Sequence, residues 1–390
     1  GVVTDKDDAS SQNNKNKETE LIVYNVLRTT KDEKKETSGF LGNDSIQRQN
    51  IDNVTFEKSI PNSIYDHIEK KITDNVRAWD VSAQGDQSIV AWYVDSEIRN
   101  GIYKIHIATN EQVPGGSDIA NIEVFANQES NYLFAYIGKS SKSTATEAIT
   151  NIGLLNVSSV EYMSNMFNST GYTSMTSLDL GDKFDTSNVK EMEGMFSETG
   201  YKKMTALDLG DEFNTINVTT MANMFNATGY TLMENLNLGN KFKTENVINM
   251  AWMFSEAGHD AMTALNLGTE FNTTNVKSMN GMFSETGYAK LTSLDLGTKF
   301  NTSNVTSMNY MFSETGHNAM TTLNLGDEFD TSSVNNMEQM FYETGYTAMT
   351  SLKLGDKFNT NSVEKMTEMF NGTGLTAMET LDLGPAFTKI

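Results

Sequence analysis

Val189–Phe213 reads VKEMEGMFSETGYKKMTALDLGDEF, and the chain from Val160 to Phe387 says this same sentence eight times. The next copies begin at Val218 and Val247, and the step is 29 residues throughout. The Met-Phe pair moves from Met166-Phe167 to Met369-Phe370, and the Leu-Gly pair from Leu180-Gly181 to Leu383-Gly384. A fixed period in this range means a solenoid, in which each unit buries its apolar face only by stacking on its neighbours.

Within a unit, Val189, Met192, Met195 and Phe196 fall on one face of a short helix, with Asn188 at its N-cap and Gly200 at its C-cap. Met204, Leu207 and Leu209 follow with the L-x-x-L-x-L spacing of a leucine-rich repeat, whose last part is a short parallel strand. The expected fold class is α/β. It is a right-handed leucine-rich-repeat solenoid of 29-residue units, with a parallel concave sheet, short convex helices and an N-terminal β-rich cap. Methionine tests the core assignment. The ladder at Met192 holds eight, that at Met195 eight and that at Met204 seven, which accounts for all 23 in the chain. Thioether stripes also line adaptable grooves, but here they coincide with the core-facing stripe.

Three segments follow. Residues 1–59 read as a polar, largely disordered tail, with Leu21–Leu27 as a short apolar run. Residues 60–156 read as a β-rich capping module. It opens with an apolar i+4 stripe from Ile60 to Val76, continues with strands at Val76–Val81, Ile89–Val94, Ile102–Ile107 and Ile119–Phe125, and ends on a short helix over 130–138. Residues 157–390 form the eight-unit solenoid.

The net charge is −22, and none of the four arginines (Arg28, Arg48, Arg77, Arg99) lies in the repeats. Such a field opposes nucleic acid and anionic lipid and favours cationic partners. Cysteine is absent, which excludes thiolate metal sites and cysteine nucleophiles. No apolar run approaches the ~18 residues of a membrane helix, so no membrane insertion is expected of this region.

Several columns are polar. Thr186 recurs through Thr360, and Asn188 recurs to Asn304 before becoming Ser333 and Ser362. Ranks of hydroxyls suit an ice-binding face, but the same residues satisfy turn and helix-start backbone groups, which is the reading adopted. The position at Lys183 alternates in charge through Glu212, Lys241, Glu270, Lys299, Glu328 and Lys357, so that opposite charges face each other along the array. Tyr172, Tyr201, Tyr230, His259, Tyr288, His317 and Tyr346 make a half-buried ladder. The candidate binding residues are Trp252 and Tyr310, which occupy otherwise polar helix positions, and Asp179 and Asp208 on neighbouring strands. Strands about 4.8 Å apart would let these two carboxylates share a Ca²⁺. A solvated polar face is the simpler reading, so no metal or cofactor is expected. His67 and His106 stand isolated, and no catalytic motif is present; the chain is expected not to be an enzyme.

The stretches LTSLDLGTKFNTSNVTSMNYMF (291–312) and TSLDLGDKFDTSNVKEMEGMF (176–196) resemble the BspA-like family of bacterial surface leucine-rich-repeat proteins. Ala-Trp-Asp-Val-Ser (78–82) and Ser-x-Tyr-Leu-Phe-Ala (130–135) are similar to what precedes those repeats, and the unit here is longer. The resemblance implies an exported, cell-surface or secreted protein, with signal peptide and any anchor outside these 390 residues. It also implies adhesion to host matrix proteins, host cells or other bacteria, through a protein or glycan ligand. The alternatives are a spacer projecting another domain and a calcium-dependent glycan binder using the strand face.

Overall fold

The computed structural model describes residues 25–61, 64, 77–110 and 123–388. Residues 1–24, most of the helix expected over 60–76, His67, and the start of the strand expected at Ile119–Phe125 lie outside the described residues.

The polar tail expected through residue 59 is corrected from residue 25 onward. Strands β1 (Gly39–Phe40), β2 (Asn43–Gln47) and β3 (Ile51–Phe56) lie there. β3 is interior to a five-stranded sheet that also holds β4 (Ala78–Asp80), β5 (Ile89–Trp92), β6 (Tyr103–Thr109) and β8 (Ile149–Thr150), in the order β4-β5-β6-β3-β8. The reason is burial: Ile51, Val54 and Phe56 are fully buried apolar residues inside an otherwise polar stretch. β4, β5 and β6 fall where alternation and β-branched residues place strands. β7 (Val124–Phe125) pairs in parallel with β9 (Leu155–Asn156).

The short helix expected at 130–138 is instead a coil that already belongs to the stack. Glu129 bridges to Tyr162, which bridges to Glu191, and this ladder continues to Lys365. Phe134 stacks on Phe167 with ring centroids 5.5 Å apart. The stack therefore starts inside the stretch read as the cap. The carbonyls on the back of this first coil have no preceding coil, and three side chains replace one. The buried guanidinium of Arg48 donates through Nη1 to the carbonyls of Tyr132, Leu133 and Ala135, and through Nη2 to Glu33 at 3.0 Å. Thr29 and Thr30 donate to the carbonyls of Glu129 and Asn131. A charge this deeply buried is tolerable because both terminal nitrogens are bonded and Glu33 balances it, although Nε has no hydrogen-bond partner.

The expected convex helices do not form: residues 157–388 contain strands, bridges and turns, and no helix. From Met192 to Thr199, backbone N–H groups alternate between two destinations. Those of Met192, Gly194, Phe196 and Glu198 donate to carbonyls of the next coil, on Thr220, Ala222, Met224 and Asn226, at 2.7–3.1 Å. Those of Met195, Ser197 and Thr199 close turns onto Met192, Gly194 and Phe196. A helix would keep every bond within itself. This zigzag needs left-handed residues at Gly194, Glu198 and Gly200, and the same three positions are left-handed in the following coils. At Gly200 only glycine fits, because a Cβ would collide with the Met204 side chain.

The cause is spacing. Equivalent Phe rings of the Phe196 column repeat at 5.4–5.6 Å, whereas a helix with its side chains is about 10 Å wide. Helices cannot stack at that interval; extended and turn backbone can. Sequence periodicity puts Val189, Met192, Met195 and Phe196 inside correctly, and all four are fully buried. It misassigns the backbone that puts them there. Asn188 is likewise not a helix cap, since its Nδ2 donates to the Ser158 carbonyl of the preceding coil at 2.7 Å.

Two threonine columns staple the coils from inside. The Thr186 hydroxyl donates to the Asn214 carbonyl and accepts from the Asn214 N–H. Thr199 donates to the Phe167 carbonyl, and Thr228 to that of Phe196. These threonines are buried, so no hydroxyl rank faces solvent from either column.

The strand side is organised differently. Eight three-residue strands form four separate parallel pairs: β10 (Ser177–Asp179) with β11 (Ala206–Asp208), β12 (Asn235–Asn237) with β13 (Ala264–Asn266), β14 (Ser293–Asp295) with β15 (Thr322–Asn324), and β16 (Ser351–Lys353) with β17 (Thr380–Asp382). Column spacing explains the breaks. Equivalent rings sit 4.5–4.7 Å apart in the Tyr172 column but 6.1–6.5 Å apart in the Phe184 column. The Tyr side is therefore nearer the axis about which the coils turn, and a strand side further out cannot hold every neighbour at ladder distance.

Candidate functional site

Trp252 and Tyr310 are 58 positions apart in sequence, and the fold brings them together. Both occupy the first left-handed position of their coils, with φ of 59° and 61°. Their ring centroids lie 6.0 Å apart, with the planes inclined by 29°. The intervening coil contributes Gly281, where a Cβ would strike the Trp252 indole. The two aromatics thus form one half-buried shelf across a glycine, not two separate exposed contacts.

Asp179 and Asp208 are also neighbours, paired in register on β10 and β11. Each carboxylate accepts the N–H of its own coil's glycine, Gly181 at 2.8 Å and Gly210 at 2.9 Å, as a turn-closing bond. Asn237 and Asn266 do the same without charge, so the position selects an acceptor for the turn. Among the described residues no cluster of three or more metal-ligating side chains occurs. The strand pair and the aromatic shelf belong to different columns of the coil, and no described contact joins them.

A third feature is clearer in the structure than in the sequence. The second left-handed position holds Glu198, Glu256, Glu285, Glu314 and Glu343, and each lies beside the stacked Tyr and His column. His259 faces Asp260 through Nδ1 at 2.7 Å and Glu285 of the next coil through Nε2 at 3.4 Å. His317 repeats the arrangement with Asn318 at 2.8 Å and Glu343 at 3.1 Å. Burial pushes Glu256 above the usual carboxylate range, Glu285 pushes it further, and His259 opposes them. Burial also raises Glu314, reinforced by Glu285 and Glu343. Burial alone would lower His259, but its bonds to Glu285 and Asp260 outweigh that and hold it above the ordinary imidazole value. Burial raises Tyr230 and Tyr288, and neighbouring negative charge adds to it.

The signal for this column was in the sequence as SETGY, SEAGH, SETGY, SETGH and YETGY, in which the Glu precedes the loop glycine. A helix reading scatters such residues over a solvated surface. Only the stacked turn lines them up.

His106, read as isolated, is bracketed by Glu57 on Nδ1 at 2.9 Å and Glu97 on Nε2 at 2.7 Å, and it stacks on Trp92. It braces the surface of the five-stranded sheet.

A family model described as "Mycoplasma protein of unknown function, DUF285" matches residues 139–265, 199–323 and 259–380. These overlapping matches follow the repeat and together run from 139 to 380, more than half of the chain. No curated protein and no solved structure matches. No helix among the described residues is long and apolar enough to cross a membrane. On the extent of that match, the chain belongs to the DUF285 family.

Proposed function

We propose that this chain is a non-enzymatic, BspA-like interaction module of a cell surface that adheres to proteins or glycans of host or bacterial surfaces. One observation carries the reading. Internal bonding of the stack is supplied by buried Met, Phe and Thr columns, while a half-exposed Tyr and His row at coil spacing, its flanking Glu residues and the Trp252–Tyr310 pair lie along its outside. Repeat arrays characteristically use such extended surfaces for recognition, and aromatic side chains are enriched where partners dock.

The test is saturable binding of the 390-residue chain to immobilised matrix proteins, epithelial cells and bacterial cells, with Ca²⁺ and with chelator. Binding is expected to weaken at least tenfold in Trp252→Ala/Tyr310→Ala, the loss typical when anchor side chains are truncated. Loss with chelator alone would move the site to Asp179 and Asp208. Absence of all binding, from a chain that melts cooperatively, would overturn the proposal.

A further inference from the structure

The Tyr/His and Glu columns run side by side, and at their N-terminal end the chain fills the slot between them with its own cation. Lys139 Nζ sits 5.4 Å from the centre of the Tyr172 ring and 5.5 Å from that of Tyr136. It lies 3.6 Å from the Glu198 carboxylate, 3.3 Å from Glu36 and 3.4 Å from the Ser169 hydroxyl. Lys202 covers the Tyr172 ring as well, at 5.7 Å. An ammonium held between a ring face and a carboxylate gains from both.

Further along, the same two columns continue without that cation. Glu256, Glu285, Glu314 and Glu343 stand beside His259, Tyr288, His317 and Tyr346. Among the described residues, no Lys or Arg forms an ion pair with any of these four glutamates. The side chains that bond to them are His259 on Glu285, and His317 and Tyr342 on Glu343. Carboxylates that are partly desolvated and repel one another hold an unfavourable field that an incoming positive charge relieves.

We propose that the strip from Glu256 to Tyr346 is a docking surface for a lysine-rich protein segment, whose ammonium groups take the place that Lys139 takes at Tyr172. This deepens the interaction reading above and rests on it. Charge complementarity selects the occupant: a strip of four carboxylates and stacked rings fits a row of ammonium groups and rejects an acidic or purely apolar partner. A coil repeat of 4.5–4.7 Å in the Tyr/His column gives successive slots that an extended segment reaches with alternate side chains, at about 6.8 Å, only by crossing the column obliquely. Recognition therefore depends on several flexible lysines and not on one fixed register.

The probe is a fluorescent eight-residue oligolysine, titrated with the full chain at low salt and again at 150 mM salt. Two triple variants are compared: Glu285→Gln/Glu314→Gln/Glu343→Gln in the strip, and Asp211→Asn/Asp295→Asn/Asp382→Asn on the strand side. Both remove the same net charge. The strip variant is expected to lose about tenfold or more in affinity, several-fold for each exposed or half-exposed pair removed, while the strand variant stays within about twofold. Tyr288→Leu should weaken binding with no change of charge. Melting curves confirm that each variant is folded. Equal losses in the two triple variants would mean that net charge alone attracts the probe, and would overturn the proposal. So would undetectable oligolysine binding by the parent chain. A chain that adheres to cells but shows either result would retain the interaction reading and lose this one.

Discussion

The turn side and the strand side of each coil are built from the same 29 residues and obey different repeats. On the turn side every coil bonds to the next through four N–H groups, and the Tyr column stacks without a gap from Tyr172 to Tyr346. On the strand side the unit is two coils. Backbone bonds from Leu180 to Asp208, Leu238 to Asn266, Leu296 to Asn324 and Leu354 to Asp382 occur at every second interface. At the interfaces between these, side chains take over: Lys241 pairs with Glu212 at 3.6 Å, Lys299 with Glu270 at 3.0 Å, and Lys357 with Glu328 at 2.9 Å. The alternating Lys and Glu of the sequence are thus a 58-residue period, in which long charged side chains span the gaps that short strands leave. A solenoid that turns about one edge cannot satisfy a ladder at both edges, and here the outer edge breaks into pairs.

Glycine substitutions break that comparison most strongly. Gly210 and Gly239 are one repeat apart and share a left-handed backbone, with φ of 78° and 74°. An added Cβ at Gly210 collides with the Gly181 carbonyl across a closed pair, while at Gly239 it meets nothing within 4 Å. Both Gly→Ala changes incur about 1–2 kcal/mol for the left-handed alanine. Gly210→Ala is expected to lose a further ~1–3 kcal/mol from overpacking. Denaturant unfolding of the two variants measures the difference. Equal destabilisation would show that the interfaces are equivalent in solution and that the pairing is not real.

What the sequence made legible follows the same division. Side-chain burial was readable, because Met192, Met195, Phe196 and Met204 recur with a period that no other placement explains. The backbone between them was not. A run of Val189, Met192, Met195 and Phe196 has helical spacing, and nothing local says that Gly194 and Glu198 are left-handed. That choice is imposed by the distance to the next coil, which is a property of the stack. The polar tail failed for the converse reason: β3 is held by β6 and β8, whose pairing residues lie some 50 and 95 positions away. Of the candidate site residues, the pairings of Trp252 with Tyr310 and of Asp179 with Asp208 follow from the repeat. The glutamate strip emerges only once the turn replaces the helix.

The second test is pH, since the raised carboxylates and the raised imidazole among the described repeats lie on the turn side. Glu256 and Glu314 are raised, so the folded state binds their protons more tightly than the unfolded chain does. Their penalty is present at high pH and is relieved as pH falls through the folded values toward the ordinary carboxylate range. His259 is raised too, so its contribution is complete below the unfolded imidazole value and is lost as pH rises through the folded one. The signs agree. Stability is expected to increase on going from pH 8 to pH 5. Depressed carboxylates such as Glu161 reverse the trend at lower pH. Glu256→Gln/Glu314→Gln should flatten the profile in that window, and a profile unchanged by that double variant would remove the glutamate strip as its source.

The smallest effect lies in the gaps of the strand side. Glu270 is bonded to Lys299, whereas no ion pair joins Lys183 to Glu212 across a closed strand pair. Glu270→Gln is therefore expected to lower stability by about 0.5 kcal/mol, as an exposed pair allows, and Lys183→Gln by less than half of that. Glu270→Lys, which sets like charges across the gap on Lys299, should lose up to about 1 kcal/mol, and 1 M salt should erase most of it. Melting temperatures of the three variants at low and high salt give the ranking. If Lys183→Gln matched Glu270→Gln, charge would be acting uniformly along the array. The alternation would then set register at every interface and not bridge every second one.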